Sequence, residues 1–206
     1  RHGAIVGEAI YRESVDAFEW TAATIAEEAI EADFVRSGHL ELAYAPSHVE
    51  HLATAAASLA TVGERARVIP VARMRTEIGT DAYFGALVVE RSGGLDPARY
   101  TAGLAAAAER AGASLHEGVR ALRVRPQADG RAVVETSVGP IVAREVFVGT
   151  NGYTDGAAPE LRRRVLPIGS YIIASDPLSE DLAHEISPNG RMFFDCCRRP
   201  RAARRL

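Results

Sequence analysis

The sequence predicts a mixed α/β (α+β) fold, in which helices and strands alternate along 206 residues. Three observations lead to this prediction. Apolar residues recur at spacings of three and four within the first 30 residues, which is the period of an amphipathic helix. From residue 115 to 148 they instead form short runs separated by turn residues, as in strands. Between these regions Asp96 and Pro97 begin a further helix, because aspartate caps helices and proline suits the first helical position.

The composition is that of a chain able to bury a core, with 47% hydrophobic residues and a net charge of −3. We expect one domain or a domain and a half. The near-neutral charge gives no electrostatic reason to expect nucleic acid or an anionic membrane as a partner. No apolar run approaches the roughly 20 residues that span a bilayer. The prediction is a cytoplasmic protein with neither kind of partner.

The first helix is long and carries one apolar face, so it should pack on a sizeable surface. Its glutamates, Glu19, Glu27 and Glu28, lie on the other face and are interpreted as solvated. The apolar face consists of Tyr11, Val15, Phe18, Ala22, Ile25 and Ala29.

A half-buried strand is predicted at residues 39–44, where apolar and polar residues alternate. Ser47 and Glu50 have the spacing of a capping box, so a second helix should begin near residue 48 and end by Gly63. Weaker patterns follow, with strands predicted at residues 68–69 and 86–89 and a short helix at residues 72–78.

The helix capped by Asp96 should end at Gly112, because glycine commonly terminates helices. Its many alanines predict close packing against a sheet. The expected buried stripe is Tyr100, Leu104, Ala107, Ala108 and Ala111.

A β-meander is predicted next, with strands at residues 119–125, 132–138 and 141–148. Asp129-Gly130 is a strong hairpin signal, and the second turn is predicted at Gly139-Pro140. The last strand ends in the apolar run VFV (146–148), which predicts burial on both faces.

The sequence GTNG (149–152) follows this buried run directly. Ligands of parallel or mixed α/β sheets collect beyond the carboxyl ends of the strands, so Thr150, Asn151 and Gly152 are candidate ligand-binding residues. The alternative is a plain turn, since Asn-Gly marks turns wherever it occurs. A second apolar run, SYIIA (170–174), lies after an arginine-rich loop.

Several kinds of site have no motif in this sequence. There is no Gly-x-Gly-x-x-Gly, no Gly-x-x-x-x-Gly-Lys phosphate loop and no Gly-x-Ser-x-Gly nucleophile elbow. The six histidines are scattered and the two cysteines, Cys196 and Cys197, are adjacent, so no metal site or disulfide framework is predicted. Arg162, Arg163 and Arg164 could clamp an anionic ligand or form a solvated loop.

Five segments in a fixed order carry a resemblance to a known family. These are GGLDP (93–97), the alanine-rich helix ending AGA (111–113), HEGVRA (116–121), the meander, and VFVGTNGY (146–153). Together they resemble the FAD-dependent amine and amino-acid oxidases, which include glycine and sarcosine oxidases. The segments at 33–44 and 161–174 are most similar to the gamma-glutamylputrescine oxidoreductase branch.

The resemblance implies an FAD-dependent oxidoreductase that transfers a hydride from an amine or amino acid to the flavin and yields an imine. It places Ala121 where relatives lend backbone groups to adenine, and Thr150, Asn151 and Gly152 on the turn along the dinucleotide. It assigns no catalytic residue. The implied fold is an incomplete FAD/NAD(P)-binding-type fold with part of an antiparallel or mixed-sheet substrate domain.

The same resemblance divides the chain into four regions. Residues 1–92 are expected to belong to the substrate-binding domain and residues 93–160 to the FAD-binding domain, with 161–195 returning to the substrate domain. Residues 196–206 depart from the family pattern and are expected to be an aberrant or disordered tail, although a basic tail can also bind nucleic acid.

The missing glycine fingerprint and the ends of the sequence suggest an internal fragment of such an enzyme, which is expected to be active only as part of a full-length chain. The alternative is a truncated, non-enzymatic remnant or a binding domain without flavin. A fragment should expose apolar surface where missing elements would pack.

Overall fold

A computed structural model describes residues 3–169 and 175–195. The described residues form two compact units, one within 1–112 and 176–206 (unit 1) and one within 113–175 (unit 2). These geometric boundaries differ from the predicted boundaries at 92/93 and 160/161. The assignment of the segments to a cofactor side or a substrate side stays a prediction.

The first element of unit 1 is a long helix, α1 (Gly3–Glu27), as the apolar period predicted. Its C-terminal end is the buried part, where Ile25 joins a cluster with Ile30. Ala29 lies beyond the helix in a left-handed conformation with φ 52°, so it is not part of the helical face. Near the other end, the Tyr11 hydroxyl donates a hydrogen bond of 2.5 Å to Glu64.

A four-stranded mixed sheet forms the core of unit 1. Its strands are β1 (His39–Leu42), β2 (Ala66–Pro70), β3 (Gly85–Val89) and β7 (Met192–Asp195), in the order β2-β3-β1-β7. β3 pairs antiparallel with β2 and β1, whereas β1 and β7 are parallel. Every residue of β3 is buried, because it lies centrally and both faces of the sheet are covered.

Two apolar clusters cover the faces of this sheet. On one face, Leu42 and Val88 pack with Met74 from a 3₁₀ helix (Val71–Thr76). On the other face, residues of β3 pack against α2 (Pro46–Thr61). The helix predicted at residues 72–78 is therefore a shorter 3₁₀ helix.

The capping-box prediction at Ser47 and Glu50 was wrong. α2 begins at Pro46 with Ala45 as its N-cap, and the cap makes no side-chain hydrogen bond. Proline is preorganised for the first helical position, so the helix starts one residue before Ser47. The end was predicted correctly, because the helix stops before Gly63, whose φ is +76°.

Helix α3 (Pro97–Arg110) has the predicted cap, since Asp96 accepts hydrogen bonds from the backbone N–H groups of Ala98 and Arg99 at 2.9 and 3.0 Å. Its packing partner was predicted wrongly. The helix packs against the segment that follows α1 rather than against a sheet. Glycine at position 103 allows this contact, because a Cβ there would lie 2.3 Å from Ile30. The predicted stripe is half-buried, and Ala111 is exposed.

Unit 2 contains an antiparallel meander of β4 (Ala121–Pro126), β5 (Ala132–Thr136) and β6 (Gly139–Ala143). The first turn is at Asp129-Gly130 as predicted. The second prediction was wrong: Gly139 is already the first residue of β6, and the turn lies at Ser137-Val138. The hydroxyl of Thr136 organises it by donating to the Gly139 carbonyl at 2.5 Å and accepting from the Val138 N–H at 3.2 Å.

Two further α-helices are short, α4 (Pro159–Arg162) in unit 2 and α5 (Glu180–Ile186) in unit 1. The apolar run at 170–174 and the arginine-rich tail at 196–206 lie outside the described residues.

The segment after α5 is tied to the sheet by a buried carboxylate, Glu77, which is 3% exposed. It accepts hydrogen bonds from Arg67 at 2.7 Å, Asn189 at 2.9 Å and Arg191 at 3.1 Å. Burial alone would raise the pKa of Glu77, but these hydrogen bonds and the two guanidinium charges hold it below its ordinary value. Arg191 also pairs with Glu90 at 3.0 Å. This set of side chains fixes the approach to β7.

Replacing Tyr11 by phenylalanine is expected to lower the free energy of unfolding by about 1.5 kcal/mol, the usual contribution of a hydrogen bond to a charged group. Burial, and then the hydrogen bond to Glu64, raise the pKa of Tyr11 to about 12. Because this pKa is higher in the folded than in the unfolded protein, the protonated hydroxyl contributes its full stabilisation below the unfolded pKa of about 10. This contribution to the free energy of unfolding is lost as the pH rises through the folded pKa.

The measurement is urea unfolding of the wild type and of Tyr11→Phe at neutral pH and above pH 10. The difference between the two proteins should shrink at the higher pH. A difference that is independent of pH would show that the hydroxyl proton does not bind Glu64 in this way.

Candidate functional site

Unit 2 contains a cavity of about 360 Å³ between the meander and the segment that follows it. Its walls come from β4 and β5 on one side and from residues 146–158 on the other. The lining is mainly apolar, with one cation, one carboxylate and two threonines. The lining residues are Arg120, Ala121, Val124, Val134, Val146, Phe147, Val148, Gly149, Thr150, Tyr153, Thr154, Asp155, Ala157 and Ala158.

A tight turn forms the rim of this cavity. A 3₁₀ helix (Asn151–Tyr153) begins with Asn151 in a left-handed conformation, φ 45°, which asparagine tolerates better than most residues. The Thr150 and Thr154 hydroxyls are 2.7 Å apart. Thr154 also donates to the Asn151 carbonyl at 2.7 Å. The turn is therefore closed by its own hydrogen bonds.

Asp155 connects this turn to the meander. Its carboxylate accepts a hydrogen bond of 2.6 Å from Arg120, which precedes β4. It also accepts one of 3.0 Å from the backbone N–H of Ala157. The Ala157 N–H and then the Arg120 guanidinium lower the pKa of Asp155. The carboxylate is thus charged at neutral pH.

The four predicted binding residues fall in this part of the molecule. Ala121 and Thr150 both line the cavity. Asn151 and Gly152 belong to the same turn but do not line it, and Gly152 lies beside Pro167, whose Cα would be 3.6 Å from an added Cβ. The structure thus brings Ala121 and Thr150 together across one cavity. Their role in binding a cofactor stays a prediction.

The buried strand predicted at residues 146–148 is absent. Residues 145–150 have no regular secondary structure, and Phe147 is 95% exposed. An apolar run becomes a strand only when a neighbouring strand satisfies its backbone, and the described residues of unit 2 provide none at this position. Thr150 therefore follows an irregular segment that lines the cavity rather than a sheet strand.

Sequence reasoning missed Arg120, Thr154 and Asp155. Arg120 and Asp155 are separated by 35 residues, and no local pattern signals a pair at that distance. The hydrogen bond from the Ala157 N–H to Asp155 did have a local signal, the sequence Asp-Gly-Ala at 155–157. Aspartate often accepts a hydrogen bond from the backbone N–H two residues later.

The arginine cluster at 162–164 is exposed. Arg163 forms an ion pair with Glu160, one turn earlier on the chain. Exposure of all three side chains favours the solvated-loop interpretation over an anion clamp.

Unit 1 has a separate cleft of about 430 Å³ between α1, α2 and the sheet, lined in part by Val15, Phe18, His39 and Leu59. Burial lowers the pKa of His39 although the carboxylates of Glu41 and Glu64 oppose this. The imidazole is therefore neutral at physiological pH. None of the predicted binding residues lies in this cleft.

Within residues 3–169 and 175–195, no group of three or more histidine, cysteine, aspartate or glutamate side chains is arranged to hold a metal ion. The helices of the same residues are too short or too polar to cross a membrane.

Comparison with known proteins identifies the family. The sequence pattern of the family described as FAD dependent oxidoreductase matches residues 2–205. Gamma-glutamylputrescine oxidoreductase of Escherichia coli (strain K12) is 34% identical over 124 residues, which are 60% of this chain and 29% of that protein. The probable oxidoreductase OrdL of Haemophilus influenzae is 30% identical over 127 residues, again 60% of this chain and 29% of the relative.

Solved structures agree at the level of the fold. Glycine oxidase from Geobacillus kaustophilus has a TM-score of 0.64 at 18% identity, over 78% of this chain and 44% of that one. L-proline dehydrogenase from P. horikoshii also has a TM-score of 0.64 at 18% identity, over 90% of this chain and 48% of that one. The matched segments span less than a third of the curated relatives and less than half of these structures. The mixed α/β fold and the resemblance are both confirmed, and the chain belongs to the family of FAD-dependent oxidoreductases.

Proposed function

We propose that this chain forms part of an FAD-dependent oxidoreductase that oxidises an amine or amino acid, and that the cavity of unit 2 receives the adenosine end of FAD. The observation that carries the proposal is the family match over residues 2–205. The proposed location is supported by Ala121 and Thr150, which both line this cavity.

The residues of the cavity fit this part of the cofactor. Ligand sites typically enclose about 300–1,000 Å³ and combine apolar walls with a few polar groups, and this cavity has about 360 Å³. That volume is suited to a nucleoside rather than a whole dinucleotide. Val124 and Val134 supply apolar surface for a flat base, and the backbone at Ala121 lies at the edge.

When bound, FAD supplies the acceptor for a hydride from the carbon that bears the amine. The described residues are proposed to bind and orient the cofactor. The valines of β4 and β5 exclude water from the base, and the Thr150–Thr154 turn forms the rim. The sequence has no glycine-rich fingerprint, so the pyrophosphate is not assigned to any residue of this chain.

For the substrate we propose a small primary amine or amino acid. The 34% identity to a gamma-glutamylputrescine oxidoreductase supports a terminal amine on an acylated diamine as the first compound to test. We also propose that the protein has no nucleic-acid partner, which the net charge of −3 supports, and that it is cytoplasmic.

Exposed apolar side chains support the idea that this chain is part of a longer protein. Phe147 and Tyr153 are 95% and 94% exposed. On the edge strand β7, Met192, Phe193 and Phe194 are each about half exposed. Apolar surface of this kind is usually covered by a partner or by further chain.

The test is FAD binding by the purified protein and amine oxidation by a longer protein that contains it. We expect a visible flavin spectrum after FAD is added to the purified chain and excess is removed. We expect bleaching of that spectrum by gamma-glutamylputrescine without oxygen, and peroxide formation in air, only from a longer protein that also contains the glycine-rich fingerprint. AMP should compete with FAD whereas FMN should not. A protein that retains no FAD would favour the non-enzymatic remnant instead.

A cavity variant locates the binding. Val134→Phe partly fills the cavity between the meander and residues 146–158 and should weaken FAD binding at least about tenfold. A tenfold change corresponds to about 1.4 kcal/mol of binding free energy. Val138→Phe is the matched control, because Val138 is 76% exposed in the hairpin turn and does not line the cavity. Equal effects of the two substitutions would mean that FAD binds elsewhere.

A further inference from the structure

We propose that Asp155 and Arg120 are positioning residues, which hold the Thr150–Thr154 turn against β4 and so set the affinity of the unit 2 cavity for FAD. This inference rests on the proposed function. It adds a role for two residues that the sequence did not single out.

Residues 150–154 should move together, because hydrogen bonds within the turn connect them to one another. The hydroxyls of Thr150 and Thr154 are bonded to each other at 2.7 Å, and Thr154 donates to the carbonyl of Asn151. The backbone N–H of Tyr153 donates to the Thr150 carbonyl at 2.9 Å. Moving any part of the turn therefore moves Thr150, which lines the cavity.

Two neighbouring contacts connect this turn to the meander, one through Asp155 and one through Ala157. The Asp155 carboxylate binds Arg120 at 2.6 Å through one oxygen and the Ala157 N–H at 3.0 Å through the other. The Ala157 carbonyl in turn accepts a hydrogen bond of 3.2 Å from the N–H of Val124 in β4. Asp155 thus fixes the same residue, Ala157, that binds the strand.

Arg120 is itself fixed to the hairpin by its backbone. Its N–H donates to the Ser137 hydroxyl at 3.1 Å, and its carbonyl accepts from the Ser137 N–H at 2.9 Å. The guanidinium therefore projects from an anchored position. The ion pair between Arg120 and Asp155 therefore fixes the position of the turn relative to the β4–β5 hairpin.

Electrostatics and positioning make opposite predictions for one substitution. FAD carries an anionic pyrophosphate, so a charge effect alone would let Asp155→Asn tighten binding by removing a negative charge. Positioning instead predicts that Asp155→Asn weakens binding, because asparagine keeps the bond to Ala157 but loses the ion pair. Arg120→Gln weakens binding under both explanations.

The experiment measures the dissociation constant of FAD for the wild type, Arg120→Gln, Asp155→Asn and the double variant Arg120→Gln with Asp155→Asn. Each single substitution should weaken binding about fivefold, the size expected for a partly exposed ion pair. The double variant should weaken binding no more than either single substitution, because both break the same ion pair. Asp129→Asn is the control, because Asp129 forms a similarly exposed pair with Arg131 in the same hairpin.

Hydrogen exchange without FAD provides the second readout. The Val124 amide should exchange faster in both single variants, and no faster in the double variant than in the single ones. Unchanged or tighter FAD binding by Asp155→Asn would overturn the proposal while leaving the proposed function intact. Failure of the wild type to bind FAD would overturn both.

Discussion

Replacing Arg191 by methionine is expected to lower the free energy of unfolding of unit 1 by about 3 kcal/mol. The side chain of Arg191 is only 11% exposed and pairs with Glu77, whose side chain is 4% exposed. Removing one partner of a buried ion pair leaves the other charge uncompensated, which costs about 3–5 kcal/mol. Arg67 and Asn189 remain bound to Glu77, so the lower end of this range applies.

Urea unfolding followed by circular dichroism measures this effect. Arg12→Met is the control, because Arg12 pairs with Glu8 on the exposed surface of α1 and should contribute less than about 1 kcal/mol. Hydrogen exchange should also show β7 opening more often in Arg191→Met than in the control. Equal stability of the two variants would mean that Arg191 does not hold β7 to the sheet.

Replacing Gly79 by alanine is expected to cost about 3 kcal/mol, at the upper end of the range for overpacking. An added Cβ would lie 2.1 Å from the carbonyl oxygen of Glu185 in α5. The obstacle is backbone, which cannot rotate away. The N–H of Gly79 also donates to the Ile186 carbonyl at 2.9 Å, and this hydrogen bond would have to lengthen.

Gly7→Ala provides a control of opposite sign. Gly7 lies within α1 and has no atom within 4 Å of an added Cβ. Alanine should therefore stabilise the helix by about 0.5–1 kcal/mol. Thermal unfolding of both variants tests the pair of predictions, and a neutral Gly79→Ala would show that α5 does not approach residue 79 this closely.

Local signals predicted the parts of the fold that depend on local interactions. Asp96 caps α3 because its own carboxylate reaches the next two N–H groups, and the apolar run of β3 is a strand because two neighbours satisfy its backbone. The equally apolar run at 146–148 has no such neighbour among the described residues. Its sequence alone could not reveal this difference.

The candidate site was predicted through the order of its motifs rather than through its contacts. That order led to the family and to Ala121 and Thr150, which line one cavity. The link between Arg120 and Asp155 depends on how a hairpin and a turn meet in space. A pattern of neighbouring residues carries no information on that arrangement, so the pair could be found only from the structure.

The parallel pairing of β1 with β7 has a consequence for synthesis on the ribosome. β7 follows α3 by about 80 residues, so the sheet of unit 1 stays incomplete while the whole of unit 2 is being made. At about 5–20 residues per second this interval lasts about 4–16 s. Throughout it Glu77 has neither Asn189 nor Arg191 beside it. Until β7 is made, the nascent chain therefore lacks the strand that pairs with β1, and Glu77 has only Arg67 of its three hydrogen-bond donors.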